Sequence, residues 1–415
     1  MIPFRHYRGS LGSVMTYVNS PHSIGRNIIS FSIITICLVA QGCGGGGKPS
    51  PPLSDGELRL QRACAYLWGQ QSPDGSWKSA HYAVMRSGQT LTPFILNTLL
   101  DVPERIAPRP DGAVGKALDF MKANTDARGV LGLRDSLILE YPNYSTAYAL
   151  RCLLKVNRPQ DKPLMEKMVK YLVSEQYNES RGFDSLSPAY GGWGFGALGL
   201  PPGDPGHMDL SHTRRCLEAI RESGYGDQSL YDRARIFLLM VQRHPLDKRP
   251  QPGAGNNSEK VYDGGFYFSP VVPDANKGKI DSSNGAEFRS YATATCDGVL
   301  SLLAAGVPAK DERIIAARHW LETHPRLELP EGIPEGDPAA WDVAMHYYHL
   351  SVRSEVYARL GWPGDWRKKI VEILTKEQLE DGRFENQEGV LMKEDDPLLA
   401  TAHATIALNH ATMMP

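Results

Sequence analysis

Apolar residues recur at helical spacing along most of the chain, and they come in paired runs. The first run of a pair is amphipathic and ends in a fixed grammar: in 62–77 a helical stretch leads to a glutamine, a tight Pro73-Asp74-Gly75 turn and then Trp77. The same order returns at 369–384, with Gln378, Asp381-Gly382 and Phe384. Weaker copies occupy 116–129, 167–183, 233–242 with its glycine-aromatic half displaced to 263–266, and 317–325, where the glycine half is lost. Each is followed by a second, more apolar run, at 89–102, 144–156, 209–223, 290–305, 340–360 and 397–411. Self-similarity of this kind marks a repeat architecture, and six pairs predict about twelve helices.

Neither helix of a pair can bury its apolar stripe alone, so the pairs must stack side by side. Closing the array removes the exposed ends that an open solenoid has to cap. The expected fold is therefore all-α, an (α/α)6 toroid, in which each glutamine bonds the orphan carbonyls ending its own outer helix. The aromatic after the turn is expected to pack between neighbouring repeats.

Ahead of the repeats the pattern changes. Residues 28–40 form an apolar run of thirteen after Arg26, followed by Gln41-Gly42-Cys43. This layout reads as a secretory signal ending in a lipobox, too short to remain as a spanning helix. The expected organisation is a signal over 1–43 with the mature chain starting at a lipidated Cys43, a flexible Gly/Pro linker over 44–56, and the toroid over 57–415. Export to the cell envelope and attachment to a membrane through the lipid follow from it. Lys plus Arg (45) nearly balances Asp plus Glu (47), and no basic run interleaved with aromatics occurs, so nucleic acid is excluded as a partner. Cys64, Cys152, Cys216 and Cys296 are widely spaced without a CxxC pair, which excludes zinc-ribbon and thioredoxin-like sites and leaves their pairing open.

The 62–77 segment resembles the glutamine-tryptophan repeat of squalene-hopene and oxidosqualene cyclases, and Asp263-Gly264-Gly265-Phe266 resembles the repeat of protein prenyltransferase β subunits. The resemblance to this prenyltransferase and squalene cyclase superfamily extends over 57–412. It implies a barrel whose central cavity holds an isoprenoid in the relatives. The cyclases carry their proton donor in an Asp-x-Asp-Asp-Thr motif after Gly-Gly-Trp-Gly-Phe. Here 191–195 keeps that frame, but Asp209-Leu210-Ser211-His212-Thr213 places Ser211 and His212 at the two central acids. Neither group is acidic enough to protonate an alkene. Prenyltransferases hold zinc with Asp, Cys and His; the matching positions here are Phe288, Ser290 and Ala400, and the nearby Cys296, Asp297 and His403 do not restore the spacing. No cofactor is expected.

Candidate chemistry is accordingly sparse. Asp209, His212, Asp342 and Asp396 are the candidate catalytic residues, although Asp209 and Asp396 each precede a helical run and also read as N-caps, Asp396 with Pro397 at the first helical position. Asp342, His346 and His349 fall at i, i+4 and i+7 and are the candidate metal ligands, against the alternative of hydrogen-bonded residues on an aromatic inner helix. The long connections 177–208 and 243–289 are expected to lid the cavity or bind something. With them, Trp193, Phe195, Tyr262, Phe266, Phe268, Trp341, Tyr347 and Tyr348 are the candidate cavity-lining residues. Three functions stay open: a binding protein for a hydrophobic small molecule, lipid or isoprenoid, or for a peptide or protein partner; a divergent cyclase-like or prenyltransferase-like enzyme; and a structural component of the envelope.

Overall fold

The computed structural model describes residues 51–132, 140–196, 199–252, 262–282, 285–334 and 336–413. The expected signal, Cys43 and the first part of the linker lie outside them. Thirteen helices are described: α1 (Asp55–Gly69), α2 (Leu91–Asp101), α3 (Ala113–Asn124), α4 (Pro142–Val156), α5 (Lys162–Ser174), α6 (Leu210–Glu222), α7 (Gln228–Gln242), α8 (Ala292–Ala304), α9 (Glu312–Thr323), α10 (Trp341–Ala344), α11 (His346–Arg359), α12 (Trp366–Glu377) and α13 (Pro397–Thr412). One antiparallel ribbon, β1 (Lys279–Ser282) with β2 (Gly285–Phe288), interrupts the connection from α7 to α8. Among the described residues no helix is long and apolar enough to cross a membrane.

The inner helices pack in the order α2, α4, α6, α8, α11, α13, and α13 packs back on α2. That closes the ring. The outer helices α1, α3, α5, α7, α9 and α12 lie against the inner ones, giving the two-layered (α/α)6 toroid expected from the repeats. α1 begins at Asp55 rather than at residue 57, because Ser54 and Glu57 form a reciprocal capping box at its start. The expected single helix over 340–360 is broken at Met345. The buried carboxylate of Glu394, from the connection before α13, accepts from the backbone N–H groups of Tyr347 and Tyr348 at 3.0 and 2.7 Å and so caps a fresh helix start.

The repeat grammar has a physical basis that differs in one respect from expectation. The glutamine does not serve its own helix. Gln71 Nε2 donates to the carbonyls of Gly75 in its turn and Ala113 at the start of the next outer helix. Gln176 reaches Gly191 and Leu230, Gln242 reaches Gly264 and Arg313, and Gln378 reaches Gly382 and Arg59. The last of these ties the last repeat to the first. Gly75 (φ 89°) and Gly382 (φ 94°) take a left-handed conformation with the backbone of Lys116 or Arg62 directly where a side chain would project, so only glycine fits. Trp77 is fully buried and its Nε1 donates to Leu67 O at 2.6 Å; Trp193 repeats this with Leu172 O at 2.7 Å. Each turn is also pinned to an inner helix, where Thr92, Thr146, Thr213, Thr295 and Thr401 accept the backbone N–H of Trp77, Leu131, Trp193, Phe266 and Phe384.

Candidate ligand cavity

A cavity of about 490 Å³ opens at one end of the inner ring. Its walls come from the first turns of the inner helices: Leu91 and Phe94 of α2, Tyr144 of α4, His212 and Arg215 of α6, Thr293 of α8, Tyr348 of α11, and Leu399 and His403 of α13. The long connections complete it with Phe195, His207, Phe268 and Lys277. Of the five non-glycine residues of positive φ among the described residues, Tyr141 and Lys393 line the cavity and Ala340 precedes Trp341, another lining residue. Strain concentrated at one mouth is the pattern of a site under functional constraint.

Next to the cavity, the ring interior holds a buried charge network. Between the lining residues His212 and Arg215 of α6, Arg214 donates from Nε to Glu218 at 2.6 Å, from Nη1 to Asp297 at 3.0 Å, and from Nη2 to Glu355. Arg151 joins through Glu218 and Glu222. Tyr348 links this network to the cavity, its hydroxyl donating to Asp297. Burial pushes the Asp297 carboxyl up, with Arg214 and Arg215 opposing the shift.

Asp209 is the most heavily engaged acid in the cavity. It caps α6 by accepting from His212 N at 2.9 Å, accepts the Ser211 hydroxyl at 2.9 Å, and lies 3.0 Å from His212 Nδ1 and 3.3 Å from His207 Nε2. Burial works to raise its carboxyl, but the two imidazoles outweigh burial and hold it well below the usual carboxylate range. Asp209 is thus an ionised acceptor and not a proton donor. His212 turns its other nitrogen, Nε2, into a buried position with no protein partner. Its ring packs against Phe195, centroids 4.8 Å apart, and Phe195 stacks on His207 at 4.1 Å. His403 faces the same space, and burial drives its imidazole down to about 3, so it stands neutral. Lys277 is 9% exposed and burial brings its ammonium down to about 8.

Of the expected lining residues, Phe195, Phe268, Trp341 and Tyr348 line the cavity, as do Asp209 and His212. The others sit elsewhere. Trp193 and Phe266 are fully buried aromatics of the repeat turns, wedged between helices like Trp77. Tyr262 packs edge-on against His244, and Tyr347 against Phe384. Asp396 caps α13, accepting from the N–H groups of Leu398 and Leu399, and takes the Ser79 hydroxyl. Asp342, His346 and His349 do not converge. The break at Met345 puts Asp342 on a separate helix, His346 spans Glu328 O and Glu377, and His349 Nε2 meets Arg326 O. Among the described residues no cluster of three metal-binding side chains occurs. Ser290 donates to Asp263, and Ala400 is buried in α13. The four cysteines of the toroid are buried free thiols; burial pushes that of Cys64 up to about 12.

His207, Arg215, Lys277 and Lys393 were not evident from sequence. Arg214, Arg215 and Glu218 stand in the middle of an inner helix, where charge is unexpected, and that was the available signal.

The sequence matches no protein-family model and no curated protein. Solved structures of the same fold do exist. A complex of the type II terpene cyclase MstE from Scytonema with geranylgeranyl dihydroxybenzoate, its substrate, aligns with a TM-score of 0.51 at 13% identity, over 86% of this chain and 97% of that one. The apo enzyme gives 0.50 at 12%, over 86% and 98%. An α-amylase from Clostridium perfringens gives 0.52 at 10%, over 85% and 98%. The shared property is the α/α toroid, which hosts cyclases and glycosidases alike.

Proposed function

We propose that this α/α toroid, of the architecture found in type II terpene cyclases, is a receptor for an apolar small molecule of the isoprenoid or lipid class, carried on an exported chain anchored through Cys43. The observation that carries the reading is the cavity: about 490 Å³, within the range of small-molecule sites, with Phe94, Tyr144, Phe268, Tyr291, Trp341 and Tyr348 among its walls. A prenyl-chain ligand in the related MstE fold supports the ligand class. Ser211 and His212 at the positions of the cyclase acids, with an ionised Asp209 beside them, favour binding without alkene protonation.

One observation favours a second reading, a divergent enzyme. Asp209 orients His212 through Nδ1 and leaves Nε2 facing an enclosed space, the arrangement of a carboxylate-positioned general base. Extraction of the purified protein with organic solvent, followed by mass spectrometry, tests the receptor reading. The expected result is a co-purified apolar molecule, or saturable quenching of Trp341 fluorescence by added geranylgeraniol. Failure of both refutes it. A new product after incubation with geranylgeraniol, lost in His212→Gln, would favour the enzyme. For the anchor, labelled palmitate is expected in the wild type and not in Cys43→Ser.

A further inference from the structure

The polar groups of the cavity are unbalanced in sign. Lys277, from the connection between α7 and α8, donates to Ala275 O at 2.8 Å and lies 4.2 Å from the Phe268 ring centroid and 5.1 Å from that of Trp341. Lys393, from the connection between α12 and α13, reaches only the face of Tyr82, at 5.9 Å. Among the described residues neither ammonium has a carboxylate within ion-pair distance; Asp209 and Asp297 act on Lys277 from farther off, and the like charge of Lys393 opposes them. Deeper in the same cavity, Arg215 is 6% exposed; its Nη1 pairs with Glu218 at 3.4 Å, while its Nε has no hydrogen-bond partner.

The acids present do not restore balance. Asp209 is taken up by His212, His207, Ser211 and the α6 backbone, and Asp274 by Lys279. Asp395, beside Lys393, accepts the Tyr82 hydroxyl. In addition, the inner helices present their N-terminal ends to this mouth, adding positive potential. Two connections that are far apart in sequence thus bring cations together in an apolar pocket, at an electrostatic cost that a bound anion would remove.

We infer that the ligand is an amphiphile with an anionic headgroup, a carboxylate or a phosphate, held between Lys277 and Lys393, with its apolar chain directed toward Phe94, Tyr144 and Tyr348. The inference rests on the receptor reading and adds the chemistry of the ligand's polar end. Charge-assisted hydrogen bonds from the two ammonium groups select the head, and the aromatic walls take the chain. The aromatic faces over Lys277 hold its ammonium in place before the ligand arrives.

Calorimetric titration of the purified protein with dodecanoate, dodecyl phosphate, dodecanol and dodecyltrimethylammonium tests it. The anions are expected to bind roughly tenfold or more tightly than dodecanol, with the quaternary ammonium weakest. Lys277→Met should lower anion affinity by about tenfold and leave dodecanol binding unchanged, and Lys393→Met, altered in a different connection, should act in the same direction. The order of dodecanoate and dodecyl phosphate distinguishes a carboxylate from a phosphate source. Dodecanol binding as tightly as the anions would overturn the inference while leaving the receptor reading standing; so would Lys277→Met weakening all four ligands equally. Failure of all four to bind would overturn the receptor reading itself.

Discussion

Replacing Trp77 by alanine should show how the toroid is held together. The indole is fully buried, lies 5.6 Å from Trp68 between ring centroids, and donates to Leu67 O at 2.6 Å, while its backbone N–H is held by Thr92. Removing so large a buried ring costs roughly 3–5 kcal/mol through lost burial and the void left behind. Trp77→Phe keeps most of the ring volume and forfeits the indole hydrogen bond, leaving Leu67 O with only the Gln70 N–H, for about 1–2 kcal/mol. Urea titration followed by both helical circular dichroism and tryptophan fluorescence is the assay. The two probes should coincide if the closed ring melts as one unit, and the midpoint should fall without a change in slope. A loss below about 1 kcal/mol for Trp77→Ala would refute the wedge role assigned to the repeat aromatics.

Gln378→Ala, which cuts the side-chain tie from the last turn to Arg59, should cost about 1–2 kcal/mol by the same titration, for two half-buried hydrogen bonds. Arg214→Met leaves Glu218, Asp297 and Glu355 without their common partner and should cost roughly 3–5 kcal/mol, read as a drop in the urea midpoint. Asp209 has a depressed carboxyl when folded, so its contribution is present above the ordinary carboxylate pKa and is lost as pH falls through the folded value. Asp209→Asn should therefore close its stability gap to wild type as acid is added. Lys277 titrates near 8 when folded and near 10.5 in the open chain, so the unfolded state holds more protons between these values. Wild-type stability should rise relative to Lys277→Met across that alkaline window, measured by thermal melts at stepped pH.

The ring was legible because its grammar is enforced at the backbone. Gln71, Gly75 and Trp77 each meet a constraint that few other residues satisfy: a double donor of that reach, a left-handed turn against a neighbouring helix, and an aromatic with a hydrogen-bonding edge. The same constraint explains why Trp193 and Phe266 were misplaced. Both occupy the position of Trp77 in their own repeats; the comparison within the chain already aligned Phe266 with it, whereas the copy read as ending at Phe183 has its turn at Gly191, where Gln176 donates, and its wedge at Trp193. The apparent metal trio assumed one continuous helix through Asp342, His346 and His349. Its break depends on Glu394, an acid from the next repeat, and local spacing carries no trace of such a partner. Lys277 and Lys393 were illegible for the same reason, since only the closed ring brings their connections to one mouth.

The most direct test of the receptor claim is native mass spectrometry of the purified chain with geranylgeraniol, alongside Thr293→Trp and Leu91→Trp, which fill the cavity from two walls. A single ligand bound to the wild type and none to either filled variant, with their helical content intact, is the predicted result. Binding that persists undiminished in both filled variants would contradict it.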